Sequence, residues 1–279
     1  MNDVKVRAFF LSTAGLREET TAASTLDEHS LSLPRGAYTT FRTYHGTQAF
    51  RLEEHLNRLS ESAMLDGFPL EFAHPAARHA IAEAVSLAGF SESRVRLTFP
   101  YEPSGGLYIA LAPFAPLPAR LYQEGAHCVT AAPGLKRANP RSKGTSFIQP
   151  GSQARAGLAA AHEILLLSEG AILEGSSSNF FAVLGGALYT AEEGVLFGTT
   201  RNLALAQAEG VLPVIRTPVS VADVPRLQEA FLTSVSRVVL PVTRIDGIAI
   251  GDGVPGPHTK AIGRGVLAAI TAELAPISP

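Results

Sequence analysis

The chain has 279 residues, 46% of them hydrophobic, and a net charge of −2. This length allows one large domain or two modest ones with a sizeable core, and the near-neutral balance excludes a charge-driven nucleic-acid or anionic-membrane binder. A single cysteine, Cys128, excludes an internal disulfide framework and a Cys-rich metal site; no stretch supplies the ~20 apolar residues of a membrane span, and the first residues lack an apolar run with a cleavage site, so the expectation is a soluble cytoplasmic protein.

Residues 36–52 predict a hairpin around His45-Gly46, with Tyr38, Thr40 and Arg42 on one face of its first strand. A helix follows, with Leu56, Leu59 and Ala63 on one face. Residues 75–88 are Ala-rich behind Pro75 and predict a second helix. Strands are expected over 94–99, where Arg94 and Arg96 share a face, and over 107–112. Pro113, Pro116 and Pro118 bar a helix or central strand and mark a linker. Beyond it the pattern predicts a strand near 127–132, a loop holding Lys143, and a helix over about 151–161. Strands follow near 163–167, 179–184 and 187–190, then a helix from Thr199-Thr200-Arg201 to about 208. Strands near 213–216, 229–234 and 237–242 precede a last helix that begins near Pro257.

Two residues suggest chemistry. Only four lysines exist: Lys5, Lys136, Lys143 and Lys260. A neutral lysine attacks carbonyls, and a turn-forming loop such as Asn139-Pro140-Arg141-Ser142-Lys143 is a common place for a catalytic group. By itself Lys143 reads more readily as an exposed loop lysine, the commoner fate of a lysine, with Lys136 as a rival, while Lys5 and Lys260 read as solvated terminal residues. Glu174 ends one apolar strand beside the turn Gly175-Ser176-Ser177-Ser178, and Asn179-Phe180-Phe181 begins the next. A Schiff-base lysine and a carboxylate against a pyridinium nitrogen are the groups a pyridoxal phosphate site needs. Gly198-Thr199-Thr200, at a predicted helix start, can cap the helix, hold a phosphate, or both. Gly251–Gly256 matches a dinucleotide-loop pattern, but too little chain follows for the required strand, so it is read as a turn. The histidines show no metal-ligand spacing.

Glu174-Gly-Ser-Ser-Ser-Asn179, with a lysine about thirty residues upstream, resembles the fold-type IV pyridoxal-phosphate enzymes, which include branched-chain and D-amino acid aminotransferases and aminodeoxychorismate lyases. Gly36-Ala-Tyr-Thr-Thr40, Phe50-Arg-Leu-Glu-Glu-His-Leu56, Gly198-Thr-Thr-Arg201 and Gly256-Pro-His-Thr259 extend the resemblance in the same order. The resemblance implies that Lys143, and not Lys136, forms the Schiff base with pyridoxal 5′-phosphate, and that Glu174 keeps the ring nitrogen protonated. It assigns the phosphate to Arg51, Thr199, Thr200 and the main chain of Ser234, Val235 and Ser236. It places Tyr38 and Arg42 near the substrate, and Arg94 and Arg96 are weighed as carboxylate ligands against a solvent-facing edge strand. Gly144-Thr145-Ser146-Phe147 follows the lysine where many members carry a tyrosine to the ring oxygen, so that contact comes from elsewhere or is absent.

The expected architecture is a mixed α/β fold-type IV enzyme. It has a small N-terminal α/β domain over 1–115, a linker over 116–122 and a larger pseudo-barrel domain over 123–279 that carries Lys143, Glu174 and the phosphate loops, with the cofactor between the domains. The expected activity is amino transfer between an amino acid and a 2-oxo acid by a homodimer. The alternatives are a lyase that releases pyruvate to give 4-aminobenzoate, and a non-catalytic vitamer-binding protein.

Overall fold

The computed structural model describes residues 6–70, 73–102, 105–157 and 161–278. Lys5 and residues 158–160 of the helix expected over 151–161 fall outside that set. The chain forms two compact units. The first comprises residues 1–115, 141–149 and 271–279; the second comprises 116–140 and 150–270.

The first unit contains β1 (Arg7–Ser12), β2 (Gly15–Glu19), α1 (Leu26–Ser32), β3 (Gly36–Tyr44), β4 (Gln48–Phe50), α2 (Leu52–Leu65), α3 (His74–Ala88), β5 (Ser93–Pro100) and β6 (Leu107–Pro113), and the end of the chain adds β16 (Leu274–Pro276). These strands form one antiparallel sheet in the order β16-β4-β3-β5-β6-β1-β2. The β3–β4 hairpin turns at His45 and Gly46, with φ of 50° and 79°; two left-handed residues in succession match the twist of the flanking strands. Leu52, Leu56, Leu59 and Ala63 form the buried stripe of α2, and α2 packs on β3. Pro75 sits in the first turn of α3, and Gly89 closes that helix at φ 69°. Gly36 opens β3 where a Cβ would lie 2.0 Å from the Phe99 carbonyl oxygen. Because a backbone atom is in the way, Gly36→Ala is expected to cost about 1–3 kcal/mol, read as a lower midpoint in urea unfolding.

Residues 141–149 belong with the first unit through main-chain bonds. Tyr38 N–H donates to the Lys143 carbonyl at 2.9 Å, Gly36 N–H donates to Thr145 Oγ1 at 3.0 Å, and Ala37 bridges Gly144. The sequence expectation placed this loop, and the chain end that supplies β16, in the large domain; both join the first unit by extending its sheet edges. The expected linker also carries structure, since α4 (Ala119–Glu124) starts directly after Pro118.

The second unit continues with β7 (Ala126–Thr130), most of α5 (Ile148–Ala156), β8 (Glu163–Ser168), β9 (Ala171–Gly175), β10 (Asn179–Leu184), β11 (Ala187–Tyr189), α6 (Thr199–Ala208), β12 (Val214–Ile215), β13 (Glu229–Ser234), β14 (Val238–Ile245), β15 (Ile248–Ala249) and most of α7 (Pro257–Ala272). Strands β10-β13-β14-β7-β8-β9 run side by side, and β9 pairs β10 to close a six-stranded, barrel-like ring. Phe180, Ala182, Leu232, Leu240, Val242, Leu165 and Cys128 form its core. Phe181 and Phe231 stack on the other face with centroids 4.7 Å apart. Burial on both faces explains why these strands read as continuous apolar runs. No helix among the described residues is long and apolar enough to cross a membrane.

Candidate active site

The ring of the second unit closes at one paired position, Glu174 with Asn179. Glu174 is 2% exposed. Its Oε1 accepts from Arg137 Nε at 2.8 Å, and its Oε2 accepts from Leu196 N at 3.1 Å and Asn179 Nδ2 at 3.3 Å. Arg137 also donates to the Ser176 carbonyl at 3.0 Å, so one guanidinium spans both ends of the acid's turn. A buried carboxylate needs such a partner. Arg137 was missed in the sequence, although it lies six positions before Lys143 in the loop already singled out.

The serines of the motif serve a different acid. Glu163, at the start of β8, is 0% exposed. Its Oε1 accepts from Ser176 Oγ at 2.6 Å and Ile164 N at 3.0 Å. Its Oε2 accepts from Ser177 Oγ at 2.7 Å, Ser178 Oγ at 2.9 Å and Arg237 Nη1 at 2.6 Å. Burial alone would raise its pKa; the Arg237 charge and the hydroxyl donors outweigh burial and bring it down to about 2. The signal was present in the sequence: an acid opening the apolar run Ile164-Leu165-Leu166-Leu167 must find a partner.

Asn179 links this rim to a helix start. It pairs with Thr233 at the end of β13, and a Cβ on Gly198 would lie 2.5 Å from Asn179 Oδ1. Gly198 precedes α6, whose N-terminus has no side-chain cap, and Thr199 and Thr200 in its first turn are buried. Thr233 Oγ1 is buried with no hydrogen-bond partner among the described residues. Ser234, Val235 and Ser236 form the turn into β14 and are half-buried. These groups fit pyridoxal phosphate: a carboxylate for a protonated ring nitrogen, and an uncapped helix start with hydroxyls for an anion, joined through Asn179. No cluster of His, Cys, Asp and Glu among the described residues can hold a metal ion.

In the first unit, Lys143 is half-buried, whereas Lys136 and Lys260 are exposed. Its N–H donates to Ser62 Oγ at 3.1 Å and its carbonyl accepts from Tyr38, which fixes the main chain on both sides of the side chain. Its Nζ lies 5.0 Å from the Tyr38 ring centroid. Ser142 Oγ donates to Asp66 Oδ2 at 2.9 Å, and Tyr101 shares that oxygen.

The sequence-expected arginines divide. Arg96 is buried, paired with Asp27 at 2.8 Å, bonded to Ser30 Oγ and the Leu26 carbonyl of α1, and set 4.8 Å from the Tyr38 ring centroid. Arg96 and Lys143 therefore meet at one tyrosine. Arg42 is paired with Glu92 and stacked on Tyr44 and Phe114, and Arg94 is exposed. Arg51 is bound by Glu273 at 2.6 Å and Glu54 at 3.1 Å. Its charge is already matched by two carboxylates, which suits a clamp on the chain end better than a phosphate ligand.

Arg58, unnoticed in the sequence, lies one turn after His55 on the buried side of α2. It donates to Thr39 Oγ1 at 2.8 Å and lies 3.1 Å from His55 Nδ1. A guanidinium only donates, so Nδ1 accepts and the ring proton sits on Nε2. Burial lowers Arg58 to about 10, against the opposing influence of Tyr38, Glu54 and Glu61. Burial, then Arg58 and Lys143, hold His55 well below its ordinary value. A guanidinium disfavoured by desolvation gains from a bound anion.

Residues 36–245 match the amino-transferase class IV family. The chain is 28% identical to a D-alanine aminotransferase of Bacillus licheniformis over 93% of this chain and 96% of that one. It is 27% identical to a branched-chain-amino-acid aminotransferase of Pseudomonas aeruginosa over 84% and 83% of the two chains. Among solved structures, the branched-chain amino acid aminotransferase of Escherichia coli superposes with a TM-score of 0.79 at 22% identity, covering 96% of this chain and 99% of that one. That likeness establishes the expected two-part α/β fold with a barrel-like sheet, and the family match carries the rest: this chain belongs to the class IV amino-transferases.

Proposed function

We propose that the protein is a pyridoxal-phosphate-dependent aminotransferase that moves an amino group between an amino acid and a 2-oxo acid. The observation that carries this reading is the second unit's rim, where the Glu174 carboxylate and the uncapped start of α6 both adjoin Asn179. The similarity to D-alanine and branched-chain aminotransferases supports a small or apolar amino acid as donor, of either hand. Homodimeric assembly is part of the same reading.

When bound, the cofactor supplies an electron sink for charge that develops at the substrate's α-carbon. Lys143 would supply the amine that holds it covalently, and as a free amine it would carry the substrate's α-proton. Glu174, oriented by Arg137 and Asn179, holds a proton on the ring nitrogen. Thr199, Thr200 and the 234–236 turn hold the phosphate through hydroxyls and main-chain N–H groups. Arg58 takes the cationic role first assigned to Arg51, and Arg96 with Tyr38 takes the substrate carboxylate.

The test is the visible spectrum after loading with pyridoxal phosphate, followed by single-turnover mixing with D- and L-amino acids. Bleaching to the pyridoxamine form by one hand of a small donor supports the proposal. Release of 4-aminobenzoate and pyruvate from aminodeoxychorismate, without transfer, replaces it with the lyase reading. Arg58→Met is expected to weaken pyridoxal phosphate binding by about 10–100-fold, the effect of removing a buried charged hydrogen-bond partner. Arg51→Met is expected to change it by less than about threefold, as for an exposed pair. Equilibrium dialysis of both variants gives the comparison.

A further inference from the structure

We infer that Glu163 is a positioning residue that couples the two ends of the cofactor site, so that the ring-nitrogen turn and the phosphate turn act as one element. The inference rests on the proposed cofactor and extends it to a residue that touches neither end itself. Glu163 Oε2 is shared. It receives Ser177 and Ser178 hydroxyls from the turn that joins Glu174 to Asn179, and it receives Arg237 from the turn that follows Ser234. The two turns are neighbours, because Asn179 and Thr233 face each other across β10 and β13.

Each turn is held so that movement at Glu163 must reach it. In the first, a Cβ on Gly175 would lie 2.3 Å from Ser178 Oγ and 2.9 Å from Glu163 Cγ, so the backbone sits directly on the acid. Gly175 N–H also bonds the Ser178 carbonyl at 2.7 Å. In the second, Arg237 N–H bonds Ser234 Oγ at 3.3 Å and the Arg237 carbonyl accepts from Tyr122 at 2.9 Å. Val238 then takes φ 57°, a left-handed conformation that a β-branched residue adopts only when its surroundings impose it. Arg237, fixed at its side chain by Glu163 and at its main chain by Ser234 and Tyr122, imposes it. Ser178 and Arg237 converge on one buried oxygen, and groups in one hydrogen-bond network respond non-additively.

The experiment measures binding of pyridoxal 5′-phosphate and of pyridoxal, which lacks the phosphate, to the purified protein and to Ser178→Ala, Arg237→Met and the double variant. Arg237→Met is expected to weaken both ligands by about tenfold, although pyridoxal has no phosphate to lose. Ser178→Ala is expected to do the same, and the double variant is expected to be within about twofold of the weaker single variant. Arg237→Lys, which keeps a charge for Glu163, is expected to retain most of the affinity. A loss confined to the phosphate ester in Arg237→Met, or a double variant equal to the product of the singles, would overturn the coupling while leaving the cofactor assignment intact. An unaltered protein that binds neither ligand overturns both. Because Arg237→Met, like removal of Glu163, breaks a buried ion pair, Ser178→Ala and Arg237→Lys, which keep that pair, carry the test if Arg237→Met does not fold.

Discussion

Lys143→Ala is expected to abolish amino transfer, with kcat/KM reduced by at least about 10²–10⁴-fold, the range for loss of a positioned proton carrier, and with the covalent cofactor link lost as well. Borohydride treatment of the loaded protein followed by peptide mapping places the tag on the peptide containing residue 143 in the parent and finds none in the variant. The fold is expected to survive, because the main-chain bonds of residue 143 to Ser62 and Tyr38 are ones that alanine keeps. Lys136→Ala serves as the control, since that side chain is exposed. A tag on Lys136 or Lys260 would sink the assignment of the amine and, with it, the roles given to Tyr38 and Arg96.

Glu163→Gln is expected to destabilise the second unit by about 3–5 kcal/mol, the cost of leaving one member of a buried ion pair uncompensated. The same group sets an acid limit. Its pKa lies below that of an unfolded glutamate, so its stabilisation is complete above about pH 4.5 and is lost as pH falls toward about 2. His55 in the first unit has a lowered pKa too, and for a histidine this means that the fold favours the neutral ring. Its stabilisation is complete above about pH 6.5 and declines as pH falls below that, by up to about 1.4 kcal/mol per pH unit. The first unit is therefore expected to weaken at a higher pH than the second. Thermal unfolding from pH 7 to 3 should show two separating transitions, and Glu163→Gln should flatten the acid dependence of the second unit's transition alone. A single transition that shifts uniformly in both proteins would contradict this.

The sequence was most legible where the cause of structure is local. The His45-Gly46 turn, Pro75 at the head of α3 and the Gly198-Thr199-Thr200 start of α6 need only their neighbours, and each falls where periodicity and turn chemistry put it. Helix α1, seven residues long, was not seen, because two turns give no apolar period to read. It supplies Asp27, without which the burial of Arg96 has no explanation. Partners far apart in the chain were equally hidden. Arg237 and Glu163 are 74 positions apart, and Arg51 and Glu273 are 222 apart. The sequence shows that a buried charge needs a partner but not which one. The motif around Glu174 drew attention to the acid and its serines as one device, whereas the structure divides them: Glu174 is served by Arg137, and the serines by Glu163.

The ring of the second unit is sealed at a single rung. Beyond Glu174 and Asn179, strands β9 and β10 share no further paired position. A seal that narrow can part locally without unravelling the other five strand pairings. The amides of Gly175 and Leu196, bonded at this rung to the Ser178 carbonyl and to Glu174, thus become reporters of occupancy. Deuterium should enter them quickly in the empty protein and slowly once a ligand clasps the same carboxylate.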